Sequence, residues 1–112
     1  MRSAHQTSHS VNVILKALAD PTRRFVFERL ASREESVAML TAAVDVSQPA
    51  VSQHIAVLRN AGLLSERKLG RSTLYRAEPR ALAPLIDWIA RQDRFWRMAL
   101  HRLDQTLKEI DE

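Results

Sequence analysis

The chain has 112 residues, 46% of them apolar and 27% charged, which is typical of a single soluble globular domain. Its formal net charge of +4 is compatible with a polyanion partner and equally with a simple role in solubility. The absence of cysteine excludes disulfides, thiolate metal ligands and thiol redox chemistry. No apolar run approaches the ~20 residues of a membrane span, and no secretory signal is visible, so we expect a cytoplasmic protein.

The chain is poor in turn-forming residues, because only two glycines and four prolines are present. This composition favours long helices over a turn-rich β fold. Residues 1–10 are polar and are predicted to form a mobile tail, whereas residues 11–112 are predicted to form one domain. His5 and His9 have a spacing that would suit a metal on a helix, but nothing nearby predicts a helix, and we favour the disordered tail.

The first helix and its boundary are indicated by local signals. Residues 11–18 are apolar and predict a short helix with Ser10 as its N-cap. Asp20 and Pro21 then predict the start of a second helix over residues 21–31. An aspartate accepts hydrogen bonds from the free N–H groups of a first turn, and proline loses nothing there.

The second helix carries a core face and two unexpected cations. Val26, Phe27 and Leu30 share one face and are predicted to be buried. Arg23 and Arg24 lie in the first turn, where positive charge opposes the helix dipole. They therefore need anionic partners, either acidic side chains, which we favour, or a DNA phosphate.

Residues 33–35 form a charged connector that is predicted to be a solvated loop. Ser36 is predicted to cap a third helix over residues 37–43. Asp45 follows at a tight turn and is predicted to adopt a left-handed conformation. Ser47 then caps a fourth helix, which gives the spacing of a helix-turn-helix.

The fourth helix, within residues 47–62, is amphipathic. Val51, Ile55 and Leu58 form its buried stripe. Its remaining surface carries short polar or amide side chains, no acid and one formal charge, Arg59. Glutamine and serine hydrogen-bond base edges in the major groove, so this surface is predicted to be that of a recognition helix.

A basic hairpin is predicted directly after this helix. Gly62 ends the helix, and residues 63–69 and 72–77 read as two strands around the loop 70–71. Four charged residues gather near its tip: Glu66, Arg67, Lys68 and Arg71. An ordinary charged turn is possible, but the position favours a wing that contacts the DNA backbone or minor groove.

The last segment is predicted to be a short turn at residues 78–82 followed by a helix from about residue 84. The apolar positions of this helix are Leu85, Ile89, Trp96, Leu100, Leu103, Leu107 and Ile110. From Trp96 onward their spacing is heptad-like. The helix is either an intrachain core helix or, as we favour because of its length, a dimerisation helix that pairs with a second copy.

Three segments together resemble the ArsR/SmtB-type winged-helix repressors. They are residues 17–30 (ALADPTRRFVFERL), 46–77 (VSQPAVSQHIAVLRNAGLLSERKLGRSTLYRA) and 95–107 (FWRMALHRLDQTL). The resemblance implies a mainly α fold with a small β-hairpin, a winged helix-turn-helix with a long C-terminal dimerisation helix over residues 78–110. It also implies a homodimeric repressor that binds double-stranded DNA at a palindromic operator and regulates its own operon.

The resemblance and the pattern together give two sets of site residues. The predicted DNA-contacting residues are Gln48, Pro49, Ser52, Gln53, His54, Arg59, Arg67, Lys68, Arg71 and Ser72. The predicted dimer-interface residues are Leu15, Leu85, Ile89, Trp96, Leu100, Leu103 and Leu107.

The chain departs from the metal-sensing members of that family. Residues 36–43 read SVAMLTAA and contain no cysteine box, and the last helix has a single histidine, His101, followed by Asp104. One histidine does not build a four-ligand site. Two copies would supply enough ligands, which leaves a shared site open. We therefore expect the non-metal branch, with no metal or cofactor and an unknown effector.

Two other function classes agree less well with the sequence. A winged helix used only for protein–protein contact is the alternative, supported by the aromatic last helix and opposed by the acid-free fourth helix. An enzyme is not expected, because no nucleophile–histidine–acid arrangement sits in a recognisable context and no glycine-rich phosphate loop exists. A DNA-binding assay separates the first two classes.

Overall fold

The structure, a computed structural model, describes the backbone of residues 4–111 and the side chains of residues 9–111. Within that range the chain is mainly α-helical with one two-stranded antiparallel hairpin, as predicted. The elements in chain order are α1 (Ala4–Ala17), α2 (Pro21–Ser32), α3 (Val37–Ala43), α4 (Gln48–Asn60), β1 (Leu64–Leu69), β2 (Ser72–Ala77), a 3-10 turn (Pro79–Leu82) and α5 (Ala83–Asp111).

Helix α1 begins earlier than the sequence predicts. It starts at Ala4, so Ser10 lies inside the helix and its prediction as the N-cap is wrong. Residues 4–10 contain no glycine or proline, and extending a helix costs little once buried residues such as Val11 and Ile14 fix its first turns. The predicted tail therefore overlaps a helix at residues 4–10. The metal hypothesis for His5 and His9 rests on a His5 side chain that lies outside the described ones.

The three predicted N-caps downstream are confirmed. The Asp20 carboxylate accepts from the backbone N–H groups of Thr22 (2.8 Å) and Arg23 (3.1 Å) at the start of α2. The hydroxyls of Ser36 and Ser47 each accept from a backbone N–H three residues on, both at 3.3 Å. Each cap satisfies an amide that the first helical turn leaves without a partner.

The turn between α3 and α4 differs from the prediction at Asp45. Within residues 4–111 only glycines have a positive φ, so the predicted left-handed aspartate is wrong. The chain turns instead through extended residues: Val44 (φ −123°, ψ 157°) ends α3 and Ser47 (φ −68°, ψ 158°) caps α4.

Helix α4 ends as the sequence predicts, at Gly62 with φ 79°. The Gly62 N–H donates to the Arg59 carbonyl (2.9 Å) and the Leu63 N–H to the Leu58 carbonyl (3.0 Å), the two bonds of a Schellman motif. Leu58 and Leu63 are both fully buried, so this cap also anchors the hairpin that follows.

The hairpin is joined to the rest of the domain through the connector between α2 and α3. Its strands pair from Leu64↔Ala77 to Leu69↔Ser72, and its two-residue loop begins with Gly70 at φ 61°. Such a loop favours glycine at its first position. On the outer edge of β2, Tyr75 forms an isolated bridge with Glu35.

The connector is therefore not the solvated loop that its composition predicts. Glu35 is only 4% exposed, and its carboxylate pairs with Arg29 and, at 3.8 Å, with Arg33. The backbone bridge to Tyr75 draws Glu35 into the domain, and a buried carboxylate is tolerated only where cations compensate it.

The core lies between α1 to α4 and the base of the hairpin. The predicted stripe of α4 is confirmed, with Val51, Ile55 and Leu58 each at most 2% exposed. Of the predicted core face of α2, Val26 and Leu30 are fully buried and Phe27 packs against the core from a partly buried position. Burial of this kind fixes the rotation of α4 and decides which of its residues face solvent.

Helix α5 projects away from this core. Its 29 residues correspond to about 43 Å, and none of them is buried. The radius of gyration is 19.7 Å, against about 13 Å for a compact chain of this length, with extents of 72 × 36 × 21 Å. None of the helices within residues 4–111 combines the length and apolar character that a membrane crossing requires.

Candidate nucleic-acid interface

The N-terminal half of α4 presents a polar surface to solvent. With its stripe turned inward, the side chains of Gln48, Pro49, Ser52 and Gln53 are all exposed. No acidic residue lies on α4, so nothing on the helix itself would repel a phosphate backbone. The structure thus brings together four predicted DNA-contacting residues at the end of the helix that enters a major groove in helix-turn-helix proteins.

His54 stands apart from these neighbours, because its side chain is only 17% exposed. Its Nδ1 lies 3.4 Å from NH1 of Arg23, and its Nε2 lies 4.0 Å from the Asp20 carboxylate. Since a guanidinium only donates, Nδ1 accepts, and a neutral ring then carries its proton on Nε2. The side chain therefore joins α4 to the start of α2.

Arg23 and Arg24 find partners that neither sequence-based alternative named. Arg23 donates through Nε to the Ala17 carbonyl (2.6 Å) and through NH2 to the Lys16 carbonyl (3.1 Å). Arg24 donates through NH1 to the carbonyls of Leu18 (2.8 Å) and Ala19 (3.1 Å). These carbonyls close the C-terminal end of α1, where the helix dipole is negative, so the arginines stabilise that end.

The Asp20 carboxylate is held in its ionised form by the same junction. Its pKa is lowered, first by the backbone hydrogen bond from Arg23 and further by nearby His54 and the Thr22 backbone, while partial desolvation opposes the shift. A carboxylate that accepts backbone N–H bonds favours its charged state.

The tip of the hairpin carries the free cations of the site. Lys68, Arg71 and Ser72 are exposed around the two-residue loop. Within residues 9–111 neither Lys68 nor Arg71 forms an ion pair. Both charges are therefore available to an anionic partner.

Two other predicted DNA-contacting arginines are already paired. Arg67 donates through Nε to the Glu34 carboxylate at 2.6 Å, and Arg59 lies 3.2 Å from the Glu66 carboxylate. The hydrogen bond from Arg67 lowers the pKa of Glu34, and Glu34 in turn raises the pKa of Arg67. The cationic side chains of this surface thus divide into a free group and a paired group.

Comparison with known proteins identifies the chain. Residues 20–66 match the family of bacterial regulatory proteins described as arsR. An HTH-type transcriptional regulator of Mycobacterium tuberculosis is 45% identical over 85 residues, which cover 76% of this chain and 77% of that protein. The chain belongs to the arsR family.

Further relatives and solved structures agree with this assignment. The arsenical resistance operon repressor of Escherichia coli K12 is 35% identical over 99 residues, covering 87% of this chain and 81% of the repressor. The structure of an ArsR-like transcriptional regulator from Rhodococcus sp. RHA1 matches with a TM-score of 0.78 and 27% identity, covering 89% of this chain and 94% of that one. These arsR-family relatives are transcription regulators and not enzymes, as the sequence predicted.

The predicted interface residues of this arsR-family chain lie mostly on the surface. Six of the seven are between 45% and 62% exposed: Leu15, Ile89, Trp96, Leu100, Leu103 and Leu107. Leu85, near the start of α5, instead packs against the core from a partly buried position. A folded protein rarely leaves so many large apolar side chains in contact with water.

No arsR-type metal cluster is found in the part of the chain that the structure describes, where no three His, Asp or Glu side chains are placed to hold an ion. His101 and Asp104 lie one turn apart on the exposed surface of α5. Two such groups from one arsR-family chain do not complete a tetrahedral site.

Sequence reasoning missed the acidic residues that organise this arsR-family surface. Glu34 binds the wing residue Arg67, and Glu35 forms the backbone bridge to Tyr75. In the sequence both sit in a charged triplet, which is also the composition of an ordinary loop. The sequence did indicate that Arg23 and Arg24 need compensating partners, because cations are unfavourable in a first helical turn. It contained no comparable indication for Glu34 or Glu35.

Proposed function

We propose that this protein is a homodimeric transcriptional repressor that binds a palindromic operator, regulates its own operon and acts in the cytoplasm. The observation that carries the proposal is the exposed, acid-free polar surface of α4 beside a hairpin with the free cations Lys68 and Arg71. The amides of Gln48 and Gln53 read base edges in the major groove, and the hairpin binds phosphates. Ser52 supplies either kind of contact.

The dimer is supported by the apolar surface of α5. Most of its large apolar side chains, from Phe95 round to Leu100, lie within an arc of about 140° at 100° per residue, with Ile86 and Met98 outside it. A two-stranded coiled-coil seam is narrower than this, so the arc is wide enough for more than one neighbouring helix. Helix α1 packs on α5 and exposes Leu15. A second copy that brings its own α1 and α5 would bury this surface through a two-fold interface.

Two-fold symmetry then determines the form of the operator. Two copies of α4 enter successive major grooves about 34 Å, or one helical turn, apart, so each half-site is repeated with inverted orientation. A dimer on such a site within a promoter blocks polymerase by occupying it. An operator upstream of the protein's own gene gives autoregulation.

The test is fluorescence anisotropy with labelled DNA from upstream of the protein's own gene, with a scrambled duplex of the same composition as control. We expect binding that is tighter for the upstream DNA and that falls steeply with salt, because phosphate contacts release counterions. Repression is checked with a reporter fused to that promoter, whose signal should fall when the protein is expressed. Equal affinity for both duplexes would refute sequence-specific binding, and an unchanged or rising reporter would refute repression.

A protein–protein module is the second candidate, favoured by the exposed aromatic pair of α5. Phe95 and Trp96 lie edge to face with ring centroids 5.3 Å apart, and both are about 60% exposed. If the protein binds neither duplex but remains folded, this candidate replaces the first.

A further inference from the structure

The wing, defined as residues 64–77, is tied to α4 by the Arg59–Glu66 ion pair (3.2 Å) and to the connector between α2 and α3 by two further links. The first is the backbone bridge, in which the Glu35 N–H donates to the Tyr75 carbonyl (3.1 Å) and the Tyr75 N–H to the Glu35 carbonyl (2.9 Å). The second is the ion pair between Glu34 and Arg67, whose atoms lie 2.6 Å apart although the residues are 33 positions apart in sequence. The two links hold different strands, because Tyr75 lies on β2 and Arg67 on β1.

The second link spans the hairpin. In the strand register Arg67 is opposite Leu74, and β2 lies between β1 and the connector that carries Glu34. The side chain of Arg67 therefore reaches across β2 to the body of the domain. The bridge holds β2 to the connector, and the Glu34–Arg67 ion pair adds a link from the connector to β1. Together with the Arg59–Glu66 pair on β1, this link restricts rotation of the hairpin about β2.

The pairing also limits what Arg67 gains from a DNA phosphate. Glu34 already neutralises much of the Arg67 charge and holds its Nε donor, so the gain from adding a phosphate, or from replacing Glu34 by one, is small. Lys68 and Arg71 give up no ion pair within residues 9–111 and gain the whole interaction.

We propose that Arg67 is a positioning residue, held by Glu34 to fix the angle of the wing, and that Lys68 and Arg71 are the cations of the wing that bind DNA phosphates. The assignment rests on the proposed DNA-binding function. It separates two groups of cations that are indistinguishable by sequence, since all three lie within five residues of one another.

The distance between the bridge at Tyr75 and the tip of the wing makes the position of the tip sensitive to the angle of the wing. The loop residue Arg71 lies four residues beyond Tyr75, or about 13 Å along an antiparallel strand, so a rotation of 10° at the base moves the tip by about 2 Å. A shift of that size breaks a hydrogen bond to a phosphate oxygen. An isolated two-stranded hairpin is also only marginally stable, so a second tether lowers the entropy lost when the wing is ordered on DNA.

The first experiment measures the salt dependence of operator binding for Arg67→Ala, with Arg71→Ala on the same hairpin as the matched control. Arg71→Ala should reduce the slope of log K for the dimer against log salt by about 1.8, the value for two lost phosphate contacts, one from each subunit. Arg67→Ala should weaken binding several-fold at every salt concentration and leave the slope unchanged. An equal loss of slope in both variants would show that Arg67 binds phosphate directly and would overturn the proposal.

The second experiment needs no DNA and therefore separates this proposal from the proposed function. Backbone ¹⁵N heteronuclear NOE values for residues 68–72 of the free protein report the order of the wing. They should fall in Glu34→Ala and in Arg67→Ala, stay unchanged in Arg71→Ala, and recover in the charge-swapped double variant Glu34→Arg/Arg67→Glu. Unchanged values in Glu34→Ala would overturn the tether, whereas absence of DNA binding by the wild type with these NOE changes intact would overturn the proposed function alone.

Discussion

NH1 of Arg23 lies 3.4 Å from Nδ1 of His54, and the same guanidinium also binds the last carbonyls of α1. One side chain of α2 thus connects the helix that carries Leu15 to the helix that carries Gln53. Because both ring nitrogens of His54 face protein groups, we propose that His54 orients α4 and does not contact bases. The sequence alone, which placed His54 with the DNA-contacting residues, does not separate these roles.

His54→Ala should therefore lower stability, by roughly 1 kcal/mol, because the Arg23 donor loses its partner in a part-buried position. It should weaken binding to operator and scrambled DNA by the same factor. The measurements are urea denaturation and anisotropy on both duplexes, with His101→Ala on the exposed surface of α5 as control. Unchanged stability together with altered base preference would instead show that His54 reads DNA directly.

Gln53→Ala should weaken operator binding by about 1–3 kcal/mol and relax the base preference, because an exposed amide at this position hydrogen-bonds a base edge. Its thermal stability should not change, since Gln53 is exposed on α4. Anisotropy on a panel of single-base operator variants measures the preference, and Gln105→Ala on α5 is the matched control. An equal loss on specific and scrambled DNA would contradict the assigned role of Gln53.

Asp20→Asn should cost stability at neutral pH and less in acid. The pKa of Asp20 in the folded protein is lowered from 3.8, chiefly by the Arg23 backbone N–H, so its stabilising effect is complete above about pH 4 and is lost as pH falls through the lowered value. Urea denaturation gives the free energy of unfolding at about pH 7, pH 4 and pH 2.5. The difference in this free energy between wild type and variant should be similar at about pH 7 and pH 4 and smaller at about pH 2.5.

The control for this series is a cap that does not titrate. Ser47→Ala removes the hydroxyl that accepts from the Ala50 N–H and should cost about 0.5–2 kcal/mol at every pH. If the loss of unfolding free energy caused by Asp20→Asn is as independent of pH as the loss caused by Ser47→Ala, the Asp20 carboxylate is not preferentially ionised in the folded state.

Leu103→Asp should convert the proposed dimer into a monomer, because it places a charge in the middle of the apolar arc of α5, where Leu103 is 54% exposed in the single chain. Light scattering after size exclusion gives the mass, and circular dichroism checks that the helices remain. Gln105→Asp introduces the same side chain on the polar side of α5 and should leave the mass unchanged. A wild type that is already monomeric, or a variant that remains a dimer, would contradict the interface.

Local rules explain which parts of the fold were predictable. The caps at Ser36 and Ser47 and the ending at Gly62 depend on residues within a few positions, and each follows from the hydrogen-bonding needs of a helix terminus. The stripe of α4 follows from helical periodicity alone. The two local errors, at Ser10 and Asp45, arose where more than one backbone conformation satisfies the same short sequence.

The partners of the charged residues were not predictable in the same way. Arg67 and Glu34 are 33 positions apart, and Arg23 and His54 are 31 positions apart, so both pairs exist only because the folded domain brings distant elements together. A side chain's charge predicts that it needs a partner but not which one. For that reason the sequence could assemble the candidate site but could not divide its cations into those that position the wing and those that are free.

The exposure of α5 affects how steeply DNA binding would depend on the concentration of the protein. If its apolar arc is covered only by a second copy, folding stability and dimerisation are linked, and the melting temperature rises with protein concentration. Below the dissociation constant of the dimer, the concentration of the DNA-binding species varies with the square of the total concentration. Autoregulation by such a protein would have a built-in threshold, set by the strength of the dimer interface and not by a ligand.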